Sequence, residues 1–497
     1  MSKINQFAAT LEEFMEFSQK GNIFPLYYEI LGDCETPVSA FRKISSGGNE
    51  FLFESVEGGN KWSRYSFIGI DPELVFLSKN NDVHIVRNGK TENKTAESPL
   101  KLLEEIMADY SYIPYGDLPI FCGGAVGYIG YDMVRHIEKL PENSKDDLGL
   151  PDSYLFIAKK LLIFDSLKQT IKILCNIEFD EGSDLNVLYE NAQREILAIL
   201  EKLKLPVKRS KPKAKENKTS EFTSSFEKED FKKAVEKCRE YIKDGDLLQV
   251  VLAQRLCFDI TFNSFNIYRA LRLINPSPYM FYLRAGEVEI VGSSPEILVR
   301  LEEDNATVRP IAGTRPRGKT EEEDKELETE LLLDKKELAE HVMLVDLGRN
   351  DIGRVCETNS IHVTEYQAIE RYSHVMHIVS NVTGKLKKGK TSFDVLKATF
   401  PAGTVSGAPK VRAMEIIDEL EPVKRYIYSG CVGYFDFSGN MDMAISIRTL
   451  YIHKNKGYLG VGAGIVYDSI PESEYQETMN KGRALIKAIE LAGNIDD

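Results

Sequence analysis

The chain has 497 residues, of which 42% are apolar and 28% charged, a composition typical of a globular protein with a large core. At about 150 residues per domain, this length predicts two or three domains. Aspartate and glutamate number 77 against 63 lysines and arginines, so the formal net charge is −14. Because a general nucleic-acid binder needs a basic face, we expect no nucleic-acid partner. An anionic substrate would have to be held by local cations, a metal or backbone N–H groups.

Cysteine spacing and the N-terminal residues predict a cytoplasmic protein. The seven cysteines lie far apart and form no C-x-x-C pair, which indicates free thiols in a reducing compartment. The first residues carry acids in place of the basic segment of a signal peptide. The longest uncharged stretch, residues 118–131, is too short to cross a bilayer, so we expect no membrane contact.

In the first 200 residues, strands predominate. Alternating apolar residues predict strands at 51–58, 65–78, 83–89, 155–165 and 170–179. Apolar residues at i, i+3 and i+4 predict helices at 98–110 and 185–203.

A charged run then separates two halves of the chain. Residues 201–220 hold eight lysines and arginines, two prolines and no aromatic side chain, so they cannot bury enough apolar surface to become ordered. We predict an N-terminal domain at 1–200, a solvated linker at 201–225 and a C-terminal domain at 226–492. A basic binding tail is the alternative for this run, but it is short and lies inside an acidic chain.

Strands and helices mix without strict alternation in the second half. Helices are predicted at 230–246, roughly 323–347, from near Pro409 to 421, and roughly 472–491, and strands at 247–260, 428–437, 441–452 and 458–468. The absence of a regular βαβ order predicts an α+β fold with antiparallel sheets.

Three glycine-containing stretches are candidate anion-binding loops. They are residues 310–318, 401–409 and 460–464, and glycine there would let backbone N–H groups face a carboxylate or phosphate. The alternative for each is a tight turn between packed elements. Residues 460–464 lack the G-x-G-x-x-G spacing and no helix follows, which excludes a dinucleotide fold.

The acidic candidates lie on two helices. Glu474, Glu477 and Lys481 occupy one face of the last predicted helix, where a solvent-exposed Glu477–Lys481 pair is the simpler interpretation. Glu340 lies on an otherwise apolar helix, and a hard cation is one way to satisfy a carboxylate there. With few oxygen donors and no Cys/His cluster, Mg²⁺ is favoured over Zn²⁺.

Two histidines and one cysteine are further candidates for reactive side chains. His374 and His377 lie three residues apart without a third ligand, so we do not predict a metal site for them. One of them could act as a general base, with a hydrogen-bonded packing histidine as the alternative. Cys431 lacks the first glycine of a nucleophile elbow and is expected to be structural.

Eight motifs in the second half, in this order, resemble the chorismate-utilising enzyme family, and within it the component I family of anthranilate synthases. They are PIAGTRPRG, ELAEHVMLVDLGRNDIGRV, RYSHVMHIVSNVTG, GTVSGAPKVRAMEIIDELE, SGCVGYFDFSG, AISIRTLY, GVGAGIV and DSIPESEYQET. FLFES and WSRYSFIG add weaker matches in the first half. The resemblance covers nearly the whole chain and implies large antiparallel sheets packed together and flanked by helices.

The implied activity is Mg²⁺-dependent amination of chorismate with ammonia, followed by loss of pyruvate to give anthranilate, the first committed step of tryptophan biosynthesis. By this resemblance Glu340 and Glu477 bind the metal, Glu474 lies beside them, and His377 takes the ring proton. The matching chorismate contacts are Gly313, Thr314, Tyr428, Arg448, Gly462, Ala463 and Gly464, joined by Thr404 and Lys481.

Two positions separate this chain from other branches of the family. Relatives that add water carry a lysine base where this chain has Gln249, which cannot serve as that base. Many aminodeoxychorismate synthases carry a nucleophilic lysine where this chain has Ala312. Some of them carry alanine there, so aminodeoxychorismate synthase component I stays an alternative. A ligand-sensing module without catalysis is the non-enzymatic alternative, and the complete catalytic set argues against it.

The resemblance also implies partners and an inhibitor. The chain has no glutaminase elbow and no room for a second catalytic domain, so a separate glutamine amidotransferase subunit is expected to supply ammonia, in a tetramer of two subunits of each kind. Ser55, Pro278, Tyr279 and Met280 match the tryptophan-binding elements of feedback-inhibited relatives. These residues predict an effector pocket where the two halves meet, with Tyr279 and Met280 as its apolar walls.

Overall fold

The structure, a computed structural model, describes residues 4–55, 64–207, 222–372 and 375–495. Eleven α-helices lie within these residues: α1 Leu11–Phe17, α2 Pro37–Ile44, α3 Pro99–Ala108, α4 Leu185–Lys204, α5 Lys228–Lys243, α6 Ser264–Ile274, α7 Glu321–Leu333, α8 Lys335–Gly353, α9 Ser392–Thr399, α10 Lys410–Leu420 and α11 Pro471–Ala492.

Twenty-four strands are found in the same described residues. The first half contributes β1 Ile23–Leu31, β2 Glu50–Glu54, β3 Tyr65–Gly69, β4 Leu74–Lys79, β5 Asp82–Arg87, β6 Lys90–Thr95, β7 Gly124–Ile129, β8 Ser153–Ala158, β9 Lys160–Asp165 and β10 Thr170–Glu178. The second half contributes β11 Thr223–Ser224, β12 Gln249–Asp259, β13 Tyr279–Ala285, β14 Val288–Ser294, β15 Ile297–Glu302, β16 Asn305–Val308, β17 Ile311–Pro316, β18 His362–Arg371, β19 Val375–Lys385, β20 Gly407–Ala408, β21 Cys431–Asp436, β22 Met441–Ile445, β23 Thr449–His453 and β24 Lys456–Ile465.

These strands form two twelve-stranded antiparallel sheets, which confirms the predicted fold class. The first sheet has the order β1-β10-β9-β3-β2-β13-β14-β23-β24-β12-β11, with β20 on β12. The second has the order β17-β19-β16-β15-β22-β21-β7-β8-β4-β5-β6, with β18 on β19. Each sheet takes strands from both halves of the chain, joined by the β2–β13 pair in the first and the β7–β21 pair in the second. The two halves therefore share both sheets.

The sheets pack face to face, and helices cover their other faces. Along β13, Phe281 and Leu283 belong to a core that contains residues of both sheets, whereas Met280 and Tyr282 belong to the core beneath the helices. This is the two-residue alternation of a strand that is buried on both faces. Among the described residues, no helix combines the length and the apolar content needed to cross a membrane.

Three segments predicted as single strands are wrong, because each crosses from one sheet to the other. Residues 65–78 divide into β3 and β4, residues 155–165 into β8 and β9, and residues 441–452 into β22 and β23. In the last of these the strands end at Ile445 and resume at Thr449, and Arg448 between them adopts a φ of +48°. The crossover therefore places the Arg448 side chain at the junction of the two sheets.

The single helix predicted at roughly 323–347 is also wrong, because the chain breaks at Asp334. This residue has ψ 105°, and its carboxylate accepts hydrogen bonds from the N–H groups of Lys336 and Glu337. It thus caps α8 and starts a new helix direction. At the predicted linker, α4 continues to Lys204 and β11 begins at Thr223, while residues 208–221 lie outside the described residues.

Candidate active site

His377 and its neighbours occupy the end of the second sheet. His377 on β19 pairs with Thr314 on β17, and the register shifts between Ala312 and Thr314. Gly313 in this bulge has a φ of +71°, a conformation that favours glycine. The His377 Nδ1 atom lies 2.9 Å from the Gly313 carbonyl oxygen and 3.1 Å from Thr314 Oγ1. Nδ1–H therefore donates to the carbonyl, which leaves Nε2 with the lone pair of a base.

The environment of His377 keeps the imidazole neutral. Burial lowers its pKa below the ordinary value of 6.5, and the nearby Arg448 guanidinium lowers it further. The hydrogen bond to Gly313 and the charge of Glu370 act in the opposite direction. A neutral imidazole at pH 7 can accept a proton. His374 lies outside the described residues.

Arg448 supplies a partly buried positive charge beside His377. Burial lowers the pKa of its guanidinium, and the carboxyl of Glu296 opposes that effect. Within the described residues, the guanidinium forms no ion pair and no hydrogen bond. A planar guanidinium whose N–H groups are not used by the described residues is suited to bind a ligand carboxylate through two parallel hydrogen bonds.

Glu296 is a site residue that sequence analysis missed. It is buried at 8% exposure, and burial raises its pKa to about 8, with Thr404 and Arg448 acting in the opposite direction. At neutral pH this carboxyl is therefore mostly protonated and can donate a proton. In the sequence, Glu296 is recognisable only as a charged residue directly before an apolar strand. That position does not show which groups surround its carboxyl in the fold.

Thr404 faces Glu296 from a short turn, residues 403–405. Its Oγ1 is buried and completes no hydrogen bond with a described residue. The turn packs so closely on α8 that a Cβ at Gly403 would lie 1.9 Å from Leu347 Cδ2, which explains the glycine. The same hydroxyl lowers the pKa of the Glu296 carboxyl, so the two groups lie close together.

Two carboxylates, Glu337 and Glu340, lie in the first turns of α8, and two more, Glu474 and Glu477, lie in the first turns of α11. Burial raises the pKa of Glu340, and the neighbouring Glu337 raises it further, while Lys481 and a hydrogen bond from Gln249 lower it. Burial likewise raises the pKa of Glu474 on α11, with a further contribution from Glu477.

The predicted pair on α11 is present in the structure. Lys481 Nζ lies 2.7 Å from Glu477 Oε1, and both side chains are about half exposed. Exposed pairs of this kind contribute little to stability. The pair therefore leaves both side chains available for a ligand.

These four carboxylates are the candidate metal ligands. No group of three or more His, Cys, Asp or Glu side chains within the described residues is arranged to hold one. Mg²⁺, however, is usually bound by one or two carboxylates together with water and substrate oxygens. Glu340 and Glu477, with Glu337 and Glu474 beside them, match that requirement in donor type and charge. Glu337 was not among the residues identified from the sequence.

Residues 460–464 are not a loop, so the prediction of an anion-binding turn there is wrong. They lie inside β24 and pair with β12, where Gly462 faces Ala253 and Gly464 faces Val251. The glycines instead make room for side chains on one face of the strand. A Cβ at Gly462 would lie 2.7 Å from the Tyr428 hydroxyl.

The same face of β24 receives two further side-chain contacts. A Cβ at Gly460 would lie 2.1 Å from the Tyr428 ring, and one at Gly464 would lie 2.8 Å from Gln249 Nε2. Tyr428 is buried, and burial raises its pKa to about 12. Glycine at every second position, 460, 462 and 464, therefore leaves one face of β24 without side chains, and Tyr428 and Gln249 pack against that face.

A separate cavity of about 470 Å³ lies between the two sheets and is lined by residues of both halves. Ser55, Pro278, Tyr279 and Met280 all border it. Ser55 Oγ is buried and has no hydrogen-bond partner within the described residues. The volume lies in the range of small-molecule sites.

Two walls of this cavity differ from the predicted apolar ones. Tyr279 presents a polar group to this wall, because its hydroxyl donates a hydrogen bond to Asp442 at 2.9 Å and accepts one from Arg300 at 3.0 Å. Met280 is 1% exposed, and its side chain belongs to the core beneath the helices.

One wall of the cavity is shared with the candidate active site. Tyr372 lines the cavity, and its ring lies edge-on to the His377 ring at a centroid distance of 5.6 Å. The Tyr372 hydroxyl donates to Glu370 at 3.0 Å, and Glu370 also pairs with Arg309 of the cavity wall. A change in the cavity can thus reach the imidazole through direct contacts.

Comparison with known proteins places this geometry in a family. A family model described as chorismate binding enzyme matches residues 49–487. The anthranilate synthase component 1 of Acetivibrio thermocellus is 48% identical over 501 residues, covering 98% of this chain and 100% of that protein. The protein of the same name from Aquifex aeolicus is 50% identical over 493 residues, covering 97% and 98%.

A solved structure agrees with these relatives. The crystal structure of anthranilate synthase component I from Streptococcus pneumoniae TIGR4 matches with a TM-score of 0.76 and 38% identity, over 92% of this chain and 99% of that one. The chain belongs to the chorismate-binding enzyme family, and within it to the group whose members are named anthranilate synthase component 1.

Proposed function

We propose that this chain converts chorismate and ammonia into anthranilate, pyruvate and water, the first committed step of tryptophan biosynthesis. The observation that carries the proposal is a protonated carboxyl and a neutral imidazole on either side of one partly buried cation. Next to Arg448, the Glu296 carboxyl is held protonated and the His377 imidazole is held neutral. One acid and one base prepared in this way serve two successive proton transfers.

The first step is amination. The nitrogen of ammonia bonds to one ring carbon, the ring double bonds shift, and the hydroxyl on another ring carbon leaves with its bonding electrons. The Glu296 carboxyl donates its proton to that hydroxyl, which departs as water, and the new ammonium group then gives up one proton, which restores the Glu296 acid. Thr404, whose hydroxyl lies close to the Glu296 carboxyl, is proposed to orient the leaving group.

The second step is elimination of pyruvate. Nε2 of His377 takes the proton from the ring carbon that now bears nitrogen, and the electrons of that C–H bond complete the aromatic ring. The C–O bond between the ring and the enolpyruvyl group breaks, and the released enolate takes up the proton held by His377 and becomes pyruvate. His377 is suited to this step because its Nδ1–H is already committed to Gly313.

Chorismate carries two carboxylates that an acidic protein must neutralise. Arg448 is proposed to bind one of them, with Gly313, Thr314, Tyr428, Lys481 and residues 462–464 forming the rest of the substrate site. Glu340 and Glu477 would hold Mg²⁺, with Glu337 and Glu474 beside them. The ion would neutralise and orient the other carboxylate.

Ammonia is proposed to come from glutamine through a separate amidotransferase subunit. The relatives are named component 1, which supports the existence of a second component. An assembly of two subunits of each kind is part of this proposal. The seven free cysteines support a reducing, cytoplasmic location.

The cavity between the sheets is proposed to bind tryptophan as a feedback inhibitor. The Ser55 hydroxyl, buried there without a partner, is a candidate contact for the amino-acid end of the ligand. The indole would lie among the aromatic and aliphatic lining residues. Tryptophan would inhibit by favouring an arrangement of Tyr372 and Glu370 in which His377 is displaced.

A single assay tests the catalytic proposal. The purified chain is incubated with chorismate, ammonium and Mg²⁺, formation of anthranilate is followed by fluorescence, and products are identified by mass. Anthranilate and pyruvate in equal amounts are expected. An aminated product that retains its pyruvate would instead indicate an aminodeoxychorismate synthase, and no consumption of chorismate would indicate a binding module.

A further inference from the structure

The Arg425 guanidinium is buried, at 6% exposure, and all of its five N–H groups donate hydrogen bonds. Nε and Nη2 donate to the two carboxylate oxygens of Glu421 at 2.8 and 2.6 Å. Nη1 donates to the Val405 carbonyl at 2.7 Å and to Ser429 Oγ at 3.2 Å, and Nη2 also donates to the Val251 carbonyl at 2.7 Å. One side chain therefore ties three separate segments of the chain together.

Two of these contacts hold the segments that carry Thr404 and Tyr428. Val405 directly follows Thr404 in the turn that faces Glu296. Ser429 directly follows Tyr428, whose ring lies 5.7 Å from the guanidinium carbon of Arg425. Movement of the guanidinium would shift both of these side chains.

The remaining contacts extend to β12 and to the crossover. Val251 pairs in register with Gly464, so its carbonyl holds β12 where that strand supports the glycine face of β24. Ser429 donates its N–H to the Ser446 carbonyl at 3.0 Å, two residues before Arg448. The turn that carries Thr404, strand β12 and the residues just before Arg448 are thus linked to Arg425 directly or through one further hydrogen bond.

Stability alone is a weak explanation for such a group. Removing two charges from water carries a desolvation cost, and buried pairs can often be replaced by apolar residues without loss of stability. We propose that Arg425 is a positioning residue, whose buried guanidinium holds the Thr404 turn, Tyr428 and the glycine face of β24 in the geometry that binds chorismate. This inference rests on the proposed function, because it names the same substrate.

The test compares three variants with the wild-type chain in the fluorescence assay. Arg425→Lys removes the planar fork but keeps the charge. Glu421→Met combined with Arg425→Met removes the buried pair altogether and leaves no isolated charge. Arg284→Lys is the matched control, because Arg284 also makes several contacts, with Glu50, Glu289 and Tyr282, but none with the site.

The expected result for Arg425→Lys and for the double variant is a rise of about tenfold or more in KM for chorismate, with KM for ammonia within about twofold of wild type. Arg284→Lys should leave both constants unchanged. If Arg425 only stabilised the fold, the variants would have a smaller folded fraction and therefore a lower apparent kcat, with KM unchanged. An unchanged KM for chorismate in a folded variant therefore overturns the inference. Failure of both variants to fold also overturns it. Absence of anthranilate with the wild-type chain is a separate result, which rejects the proposed function itself.

Discussion

The Nδ1 atom of His377 lies 2.9 Å from the carbonyl oxygen of Gly313, and this contact decides which ring nitrogen is basic. A backbone carbonyl can only accept, so Nδ1 carries the proton and Nε2 carries the lone pair. The carbonyl points to the imidazole because the chain bulges at Gly313 with a positive φ. Without this bulge, the Gly313 carbonyl would no longer keep the proton on Nδ1, and Nε2 would not be fixed as the basic nitrogen.

The pH dependence of kcat/KM for chorismate is predicted to be bell-shaped at a constant concentration of free ammonia. His377 must be neutral, and its pKa lies below 6.5, so activity falls as the pH drops below that pKa. Glu296 must be protonated, so activity falls as the pH rises through about 8. Steady-state rates from pH 5 to 9 check this, and a profile that rises steadily to pH 9 would contradict the role of Glu296.

Glu296→Gln is predicted to lower the rate of chorismate consumption by about 100- to 10,000-fold, since an amide cannot donate the proton that the leaving hydroxyl needs. The variant should fold, because glutamine has the same shape and removes a carboxyl that burial already keeps neutral. The melting temperature serves as the control. Consumption within tenfold of wild type at pH 7 would exclude Glu296 as the acid.

His377→Ala is predicted to impair aromatisation more than amination. The base is needed only in the second step, so an aminated intermediate that retains the enolpyruvyl group should accumulate. Mass analysis of quenched reactions detects it. If chorismate is not consumed at all, His377 acts in binding or folding instead.

Glu340→Gln and Glu477→Gln are predicted to abolish turnover that depends on Mg²⁺, because each removes a charged ligand. Glu337→Gln and Glu474→Gln should weaken metal binding by about 10- to 100-fold. Calorimetric titration with Mg²⁺ in the presence of chorismate measures this without relying on activity. Glu490→Gln, an exposed glutamate on the same helix as Glu477, is the control and should bind like wild type.

Ser55→Phe is predicted to fill part of the cavity between the sheets and to raise the tryptophan concentration needed for half inhibition. A coupling of roughly 1–3 kcal/mol between effector and substrate is typical of such sites. The uninhibited rate should change little, since Ser55 does not touch the candidate active site. Ser55→Ala, which keeps the volume, should have a smaller effect. If the wild-type chain ignores millimolar tryptophan, the regulatory proposal fails.

Local patterns in the sequence predicted much of the architecture. The i, i+3, i+7 spacing of Glu474, Glu477 and Lys481 placed them on one helix face, and the structure contains that helix. Alternating apolar residues predicted many of the strands, and the absence of a regular βαβ order predicted the antiparallel sheets. These inferences depend on neighbours a few positions away, so they survive without knowledge of the fold.

Other features depend on contacts between distant segments, and only the tertiary structure decided them. The strands around Arg448 alternate in the same way on both sides of the crossover, so nothing local shows that they enter different sheets. The importance of Glu296 likewise comes from residues about 110 and 150 positions further along the chain, Thr404 and Arg448. Proton affinity is set by burial and by charges that the fold brings close. The sequence by itself thus determined the family and most elements, whereas the pKa shifts that support Glu296 as the proposed acid and His377 as the proposed base depend on groups that the fold brings together where the two sheets meet.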